Sequence, residues 1–300
     1  MNATFGPWQH PIEKPKQDVL RIVSRLANSQ AVPFMVFGAF ARELHFYHQH
    51  GIPCSRRTND VDFGLQLPDW ESYHHFRDAL KEFGFTSENP DHPEKLIHRE
   101  TGQEIDLLPF GEIAEKGQRI IWPSDNSPWS VLGFQEAFEH SRVFRLDEMD
   151  IKVVSIPMLV VLKIVAVMDR EQPRHKRDGT DIAFILEHYL DAGNRPRLLE
   201  GPGADLMEAC DNDLDAATAR LLGMDMAMEM RPDTRNRIRA YLREQVESQG
   251  RCHLVHGLME SSRFATFPVA RACLRNLLAG IDKCAFGAEK GERRWDKGRG

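Results

Sequence analysis

The sequence predicts an α/β chain of the α+β kind: a small mixed sheet flanked by helices, followed by a helical C-terminal part. Three observations carry this. Short apolar runs of strand character lie in the first half, at 32–37, 60–67, 95–110 and 142–154. Helical spacing fills much of what separates them. After Val154 nearly every segment is helical in pattern. The expected division is an α/β core over 1–154, a helical domain over 155–285 and a disordered tail over 286–300, where "GAEKGERRWDKGRG" is charged and Gly-rich.

Each element has a local reason. Pro7, Pro11 and Pro15 make residues 1–17 an extended lead-in. Val19, Leu20, Ile22, Val23 and Leu26 share one broad face, so 17–27 reads as a helix. The apolar run 32–37 reads as a buried strand ended by Gly38-Ala39, with a helix over 40–50 stopped by Gly51. Val61, Phe63, Leu65 and Leu67 alternate, giving a half-buried strand over 60–67. Pro68-Asp69 opens a helix to about Phe83, closed by Gly84. Strands at 95–99 and 103–110 flank Thr101-Gly102, a hairpin turn, and 142–146 with 151–154 form another hairpin. Ser155 can cap the next helix, with Pro157 in its first turn, to about Arg170. A basic loop, "EQPRHKRDG", precedes a helix over 178–189. Residues 195–203 read as a linker, and 204–210, 214–222, 234–249 and 268–281 as helices.

The bulk numbers exclude several classes. The 300 residues are 41% hydrophobic and 28% charged, as in soluble globular proteins. A net charge of −6 argues against coating nucleic acid wholesale. The longest apolar run, 158–168, is broken by Lys163 and too short for a bilayer, and the N-terminus lacks the apolar core of a signal peptide. A cytoplasmic protein without a membrane partner is expected. Five scattered cysteines without a CxxC pair exclude a disulfide framework or zinc knuckle.

The chemistry is suggested by "RTNDVDF". Asp is a poor strand former, yet Asp60 and Asp62 sit where a strand begins and point to the same side. Two adjacent like charges are costly unless a cation lies between them. The bland alternative is a strand end with two solvated carboxylates. Three features weigh against it. Gly38 stands at a strand-to-helix turn, where the backbone can approach a ligand and a helix N-terminus suits phosphate. Asp106, in "QEIDLLPF", has the same polar-face parity, shared with Glu104. Lys163, Arg170, Lys176 and Arg177 supply positive charge downstream. Three carboxylates on neighbouring strands suit Mg²⁺, a hard cation that shares oxygen ligands with substrate phosphates.

Gly38 after a strand, then a helix, Asp60-Val61-Asp62 and a later Asp106 resemble the nucleotidyltransferase superfamily of polymerase-beta-like fold. The closer resemblance, over about 30–190, is to the AbiEii-type nucleotidyltransferase toxins of type IV toxin–antitoxin systems. Lys163 in "MLVVLKIVAVMDR" and "HKRDGTDIAFIL" match the family's lysine-bearing helix and later acidic element. The resemblance implies Asp60, Asp62 and Asp106 as catalytic metal ligands for two Mg²⁺ ions, with Mn²⁺ as a substitute. It implies a nucleotide site of Gly38, Ala39, Arg42, Lys163, Lys176, Arg177, Asp178 and Asp181. NTP would be the donor, a tRNA or a protein the acceptor, and an antitoxin the partner. Gly38-Ala39 departs from the family's Gly-Gly or Gly-Ser and loses a serine hydroxyl. The alternatives are nucleotidylation of an aminoglycoside-like small molecule, for which Asp205, Glu208, Asp211, Asp213 and Asp215 offer an acidic wall, and a degenerate member that binds without turnover.

Other clusters read blandly. His45, His48, His50, His74 and His75 are expected on solvated helix faces, and "CHLVH" at 252–256 as polar helix or loop. Trp122, Trp129 and Phe134 are expected to fill core, and the arginines of 231–243 to line a solvated helix face.

Overall fold

The computed structural model describes residues 4–5, 8–54, 56–87, 92–169, 175–199, 202–248 and 252–295; the side chains of 4–5, 175–176, 199, 202–204 and 284–295 lie outside that description. The chain divides into two units, Met1–Leu159 and Val160–Gly300.

The first unit holds strands β1 (Thr4–Phe5), β2 (Phe34–Phe37), β3 (Asp60–Gln66), β4 (Phe85–Thr86), β5 (Lys95–His98), β6 (Gln103–Phe110), β7 (Arg119–Ile121), β8 (Pro128–Ser130), β9 (Arg142–Leu146) and β10 (Met149–Val153). Its helices are α1 (Lys14–Ser29), α2 (Gly38–Glu43), α3 (Trp70–Glu82) and α4 (Phe134–Glu139), and α5 (Ile156–Asp169) begins there. Eight strands form one mixed sheet in the order β1-β9-β10-β2-β3-β6-β5-β4, while β7 and β8 pair separately. The β3–β6 pair is parallel and the β2–β3 pair antiparallel.

Register follows from burial. Val61, Phe63, Leu65, Ile105 and Leu107 are fully buried, and α1 and α3 pack together behind the sheet, α1 against β6 and β10. Each such side chain contributes roughly 1.5–3 kcal/mol on burial. A slip of one residue would turn all of them outward and drive Asp60, Asp62 and Asp106 into the core. The apolar face therefore fixes the polar one.

Several elements differ from the sequence reading. The second helix starts at Gly38 rather than Phe40, and continues through a π-helical turn, Leu44–His48. Gly38 has φ +71°, so the chain reverses within one residue. His45 and His48, expected in solvent, are buried. His45 Nε2 donates to the Val154 carbonyl at 2.7 Å and its ring meets Phe144 edge-on. His74 and His75 are exposed. Residues 119–130 form the unexpected β7–β8 hairpin, whose Trp122 is buried against Trp70, Tyr73 and Trp129, the core-filling role expected of it.

The second unit continues α5 and adds α6 (His175–His188), α7 (Arg195–Leu199), α8 (Pro202–Glu208), α9 (Leu214–Glu229), α10 (Pro232–Glu247), α11 (His253–Leu258) and α12 (Phe267–Trp295). Part of the expected basic loop is thus helical from His175. So is most of the expected linker, because Leu198 is buried and Arg197 grips Asp225 at 2.6 and 2.8 Å. Tertiary anchoring there outweighs the Pro and Gly content. The backbone of α12 runs into the stretch whose composition reads as disordered. Helices α9 and α12 meet at glycines: a Cβ on Gly223 would lie 2.1 Å from the Leu277 carbonyl oxygen, and one on Gly280 2.1 Å from that of Arg220. Arg237, Arg239 and Arg243 of α10 pair with Asp233 or Asp282.

Candidate active site

Asp60 and Asp62 stand on the face of β3 opposite its buried residues. Parallel pairing sets Asp62 beside Asp106 and Asp60 beside Glu104; antiparallel pairing sets Asp62 beside Phe37, the residue before Gly38. One carboxylate oxygen from each of Asp60, Asp62 and Asp106 lies within 4.8 Å of the other two. At such a separation, with an effective dielectric near 20, each pair repels by on the order of 3 kcal/mol. Parity alone left Glu104 and Asp106 equivalent. The cluster takes Asp106, and Glu104 turns to Lys95 at 3.3 Å.

Gly38 fits this cluster and nothing larger would. A Cβ there would stand 1.9 Å from Asp62 Oδ2, at a φ that side chains avoid. The carboxylate thus rests against the backbone where α2 begins, with Ala39 next in line.

A cation suits the donors on two observations. Three hard oxygen donors converge, and Asp106 Oδ1 is buried without accepting a hydrogen bond. Its contact with Lys95 Nζ, at 3.1 Å, brings two charges together without hydrogen-bond geometry. Burial pushes the Asp106 carboxyl up; Lys95 opposes this, while the charges of Asp60 and Glu94 add to it. Burial alone would lower the Lys95 ammonium, but Asp106 and Glu104 outweigh it and hold it raised. A bound cation would reverse the balance at Asp106.

A buried chain of contacts fixes Asp60. Lys16 Nζ lies 3.0 Å from Glu43 Oε2, and both side chains are buried. The other Glu43 oxygen accepts from the Thr58 backbone N–H, and the Thr58 hydroxyl donates to Asp60 Oδ1. Removing one partner of such a buried pair costs far more than the pair contributes, so Glu43 ties helix to strand firmly. Arg42, expected at the nucleotide, lies inside and donates to the Arg56 carbonyl at 2.6 Å, bracing the insert before β3.

The remaining expected residues lie in the second unit. Lys163 is buried on α5, with Nζ 2.5 Å from Asp181 and 3.4 Å from Asp178 on α6. Arg177 is exposed; the Lys176 side chain lies outside the described residues. Among the described residues, the three aspartates form the one group of three or more potential metal ligands, so neither the histidines nor "CHLVH" makes another.

Sequence reasoning missed Lys95, Thr58, Glu43 and Lys16. Lys95 was legible: the hairpin turn at Thr101-Gly102 sets Lys95 directly opposite Asp106. The Lys16–Glu43 pair had no such signal, since its partners are joined only by the fold.

A mixed sheet with two acids on one strand, a third on its parallel neighbour and a glycine-opened helix beside them defines a nucleotidyltransferase core. The family model described as nucleotidyl transferase AbiEii toxin, type IV TA system, matches residues 21–251, more than half of the sequence. The chain belongs to this AbiEii family. No curated protein matches it. Among solved structures, ANT(2'')-Ia in complex with adenylyl-2''-tobramycin is 13% identical, with a TM-score of 0.34 over 61% of this chain and 99% of that one. A CCA-adding enzyme with ATP is 15% identical, with a TM-score of 0.26 over 93% of this chain and 72% of that one. Both likenesses are distant.

Proposed function

We propose that this chain is a Mg²⁺-dependent nucleotidyltransferase that moves a nucleotide from an NTP to a hydroxyl of a tRNA or protein, releasing pyrophosphate. The observation that carries the reading is the convergence of Asp60, Asp62 and Asp106 beside Gly38. Family membership supports nucleotidyl transfer and, more broadly, a toxin restrained by an antitoxin in the cytoplasm. Among the described residues no helix is long and apolar enough to cross a membrane.

Divalent ions, when bound, supply neutralisation of the triphosphate and activation of the attacking oxygen; Mn²⁺ can stand in for Mg²⁺. Asp60 and Asp62 would hold them, with Thr58 keeping Asp60 in place. Asp106 would complete the ligand set or take the acceptor's proton, for which a carboxyl raised by burial is the better base. Gly38 and Ala39 would admit the phosphates close to the backbone. Lys163, Lys176 and Arg177 would supply positive charge, with Asp178 and Asp181 orienting Lys163.

One observation favours a second reading, a member that binds nucleotide or partner without turnover: Lys163 is already held by two aspartates. The small-molecule alternative loses part of its acidic wall, since Asp213 caps α9 and Asp215 pairs with Arg263.

The test is incubation with Mg²⁺ and each α-labelled NTP, offering total tRNA and cell-extract protein as acceptors, beside the Asp60→Ala/Asp62→Ala variant. Label on RNA or protein, absent with the variant, supports the proposal and identifies base and acceptor class. NTP-dependent thermal stabilisation without label supports binding without turnover.

A further inference from the structure

Thr58 is buried two residues before Asp60, in the lead-in to β3. Two of its polar groups are committed. Its backbone N–H donates to Glu43 Oε1 at the end of α2, and its hydroxyl donates to Asp60 Oδ1. Glu43 is pinned in turn, with Oε2 3.0 Å from Lys16 Nζ of α1 and both side chains buried. Two helices, and not β3 alone, therefore set where the hydroxyl stands. A hydroxyl has one proton to give, and this one goes to a carboxylate of the three-aspartate group. A carboxylate chelates a single ion only when both its oxygens can turn toward it. An oxygen held by a buried hydroxyl resists that turn and has part of its charge already committed.

We propose that Thr58 is a specificity-determining residue of the metal site: its hydroxyl confines Asp60 to one-oxygen ligation and so favours a small octahedral ion over Ca²⁺. Mg²⁺ demands near-ideal octahedral geometry, and Mn²⁺ takes the same oxygen set. Ca²⁺ instead gathers about six to eight oxygens in looser geometry, often both from one carboxylate. The narrow bite of a chelating carboxylate fits the larger ion and distorts an octahedron. Thr58 thus withholds from Ca²⁺ a ligand that Mg²⁺ does not need. The inference rests on the metal-site reading of the aspartates and deepens it, but it is tested on nucleotide-free protein and needs no transfer activity.

The experiment is Mn²⁺ titration without nucleotide, then displacement by Ca²⁺, with free Mn²⁺ read by electron paramagnetic resonance. It compares wild type, Thr58→Val, Thr58→Ala and Thr58→Ser, with circular dichroism to confirm folding. Thr58→Val keeps the size of the side chain and the backbone bond to Glu43 and removes only the hydroxyl. Ca²⁺ should displace Mn²⁺ from it at about tenfold lower concentration than from wild type, as expected on losing one hydrogen bond to a charged group. Thr58→Ala should shift the same way, and Thr58→Ser should keep the wild-type ratio. An unchanged ratio in folded Thr58→Val and Thr58→Ala, or one shifted toward Mn²⁺, overturns the inference. An equal shift in Thr58→Ser also overturns it, since it marks a packing effect. Absence of Mn²⁺ binding in wild type and every variant overturns both it and the metal-site reading, whereas the expected shift without nucleotidyl transfer overturns only the activity.

Discussion

Both units contain a cluster of aspartates with a lysine, and the two differ in how far the charges are satisfied. In the second unit, Lys163 is surrounded: one ammonium, two aspartates at 2.5 and 3.4 Å, all three residues buried. In the first, one carboxylate oxygen from each of three aspartates lies within 4.8 Å of the other two, a partly exposed lysine stands 3.1 Å from Asp106, and one Asp106 oxygen is buried without a hydrogen bond. The same residue types give carboxylates gathered round an ammonium in one place and carboxylates gathered round one another in the other. The former serves as a tie, because taking it apart leaves a buried charge. The latter favours a cation among the carboxylates.

The largest effect expected from this contrast is on activity. Asp62→Asn should lower nucleotidyl transfer by at least about a thousandfold, on the order of 4 kcal/mol of transition-state stabilisation. The same variant should melt no lower than wild type, since it relieves repulsion between neighbouring carboxylates. A marked loss of thermal stability would mean that the cluster serves the fold.

Lys163→Met probes the opposite cluster. It takes the ammonium from two buried carboxylates and should cost about 3–5 kcal/mol in urea unfolding. Full stability combined with weakened NTP binding would instead make Lys163 a triphosphate ligand first and a tie second.

A smaller effect concerns the buried His45, which belongs to neither cluster and calibrates the first unit's acid response. Burial lowers its folded value from 6.5 to about 4, against the opposing bond to Val154. The unfolded chain therefore takes up this proton first. The stabilisation is fully present above about pH 6.5 and is lost as pH falls toward 4, by roughly 3 kcal/mol in total. Urea unfolding at pH 7 and pH 4.5, for wild type and His45→Gln, should show a steeper loss in wild type. Equal slopes would assign acid sensitivity to other groups.

The smallest effect tests the helical packing of the second unit, where α9 and α12 meet. Gly223→Ala forces a Cβ toward the Leu277 carbonyl and should cost about 1–3 kcal/mol. No loss of stability would show that α9 and α12 can separate without consequence.

Much of the first unit was legible in the sequence because it rests on short-range periodicity. Alternation in 60–67 placed Val61 and Phe63 on one side and the two aspartates on the other, and the burial of β3 follows that division. The hairpin at Thr101-Gly102 was read as such, and its register would have paired Lys95 with Asp106 had it been counted through. Ser155 was read as a cap, and its hydroxyl accepts from the Met158 N–H at 3.2 Å. His45 and His48 misled because a helix buried on several sides has no solvated face to find, whereas His74 and His75 are exposed as expected. The segment at 195–199 misled because Pro and Gly content speaks only for the isolated chain.

By itself, then, the sequence determined which residues could share a face: periods of two and of 3.6 are properties of the backbone and need no partner. It also determined that Gly38 would stand where a strand turns into a helix, and that acids would sit on the polar side of two strands. The tertiary structure alone decided which acids meet, and which lysine each one meets. Strand register brought Asp106 rather than Glu104 to the pair, and packing carried Lys16 to Glu43, 27 residues away. Those choices depend on burying apolar surface at long range, and no local pattern encodes the distance between side chains that only the fold brings together.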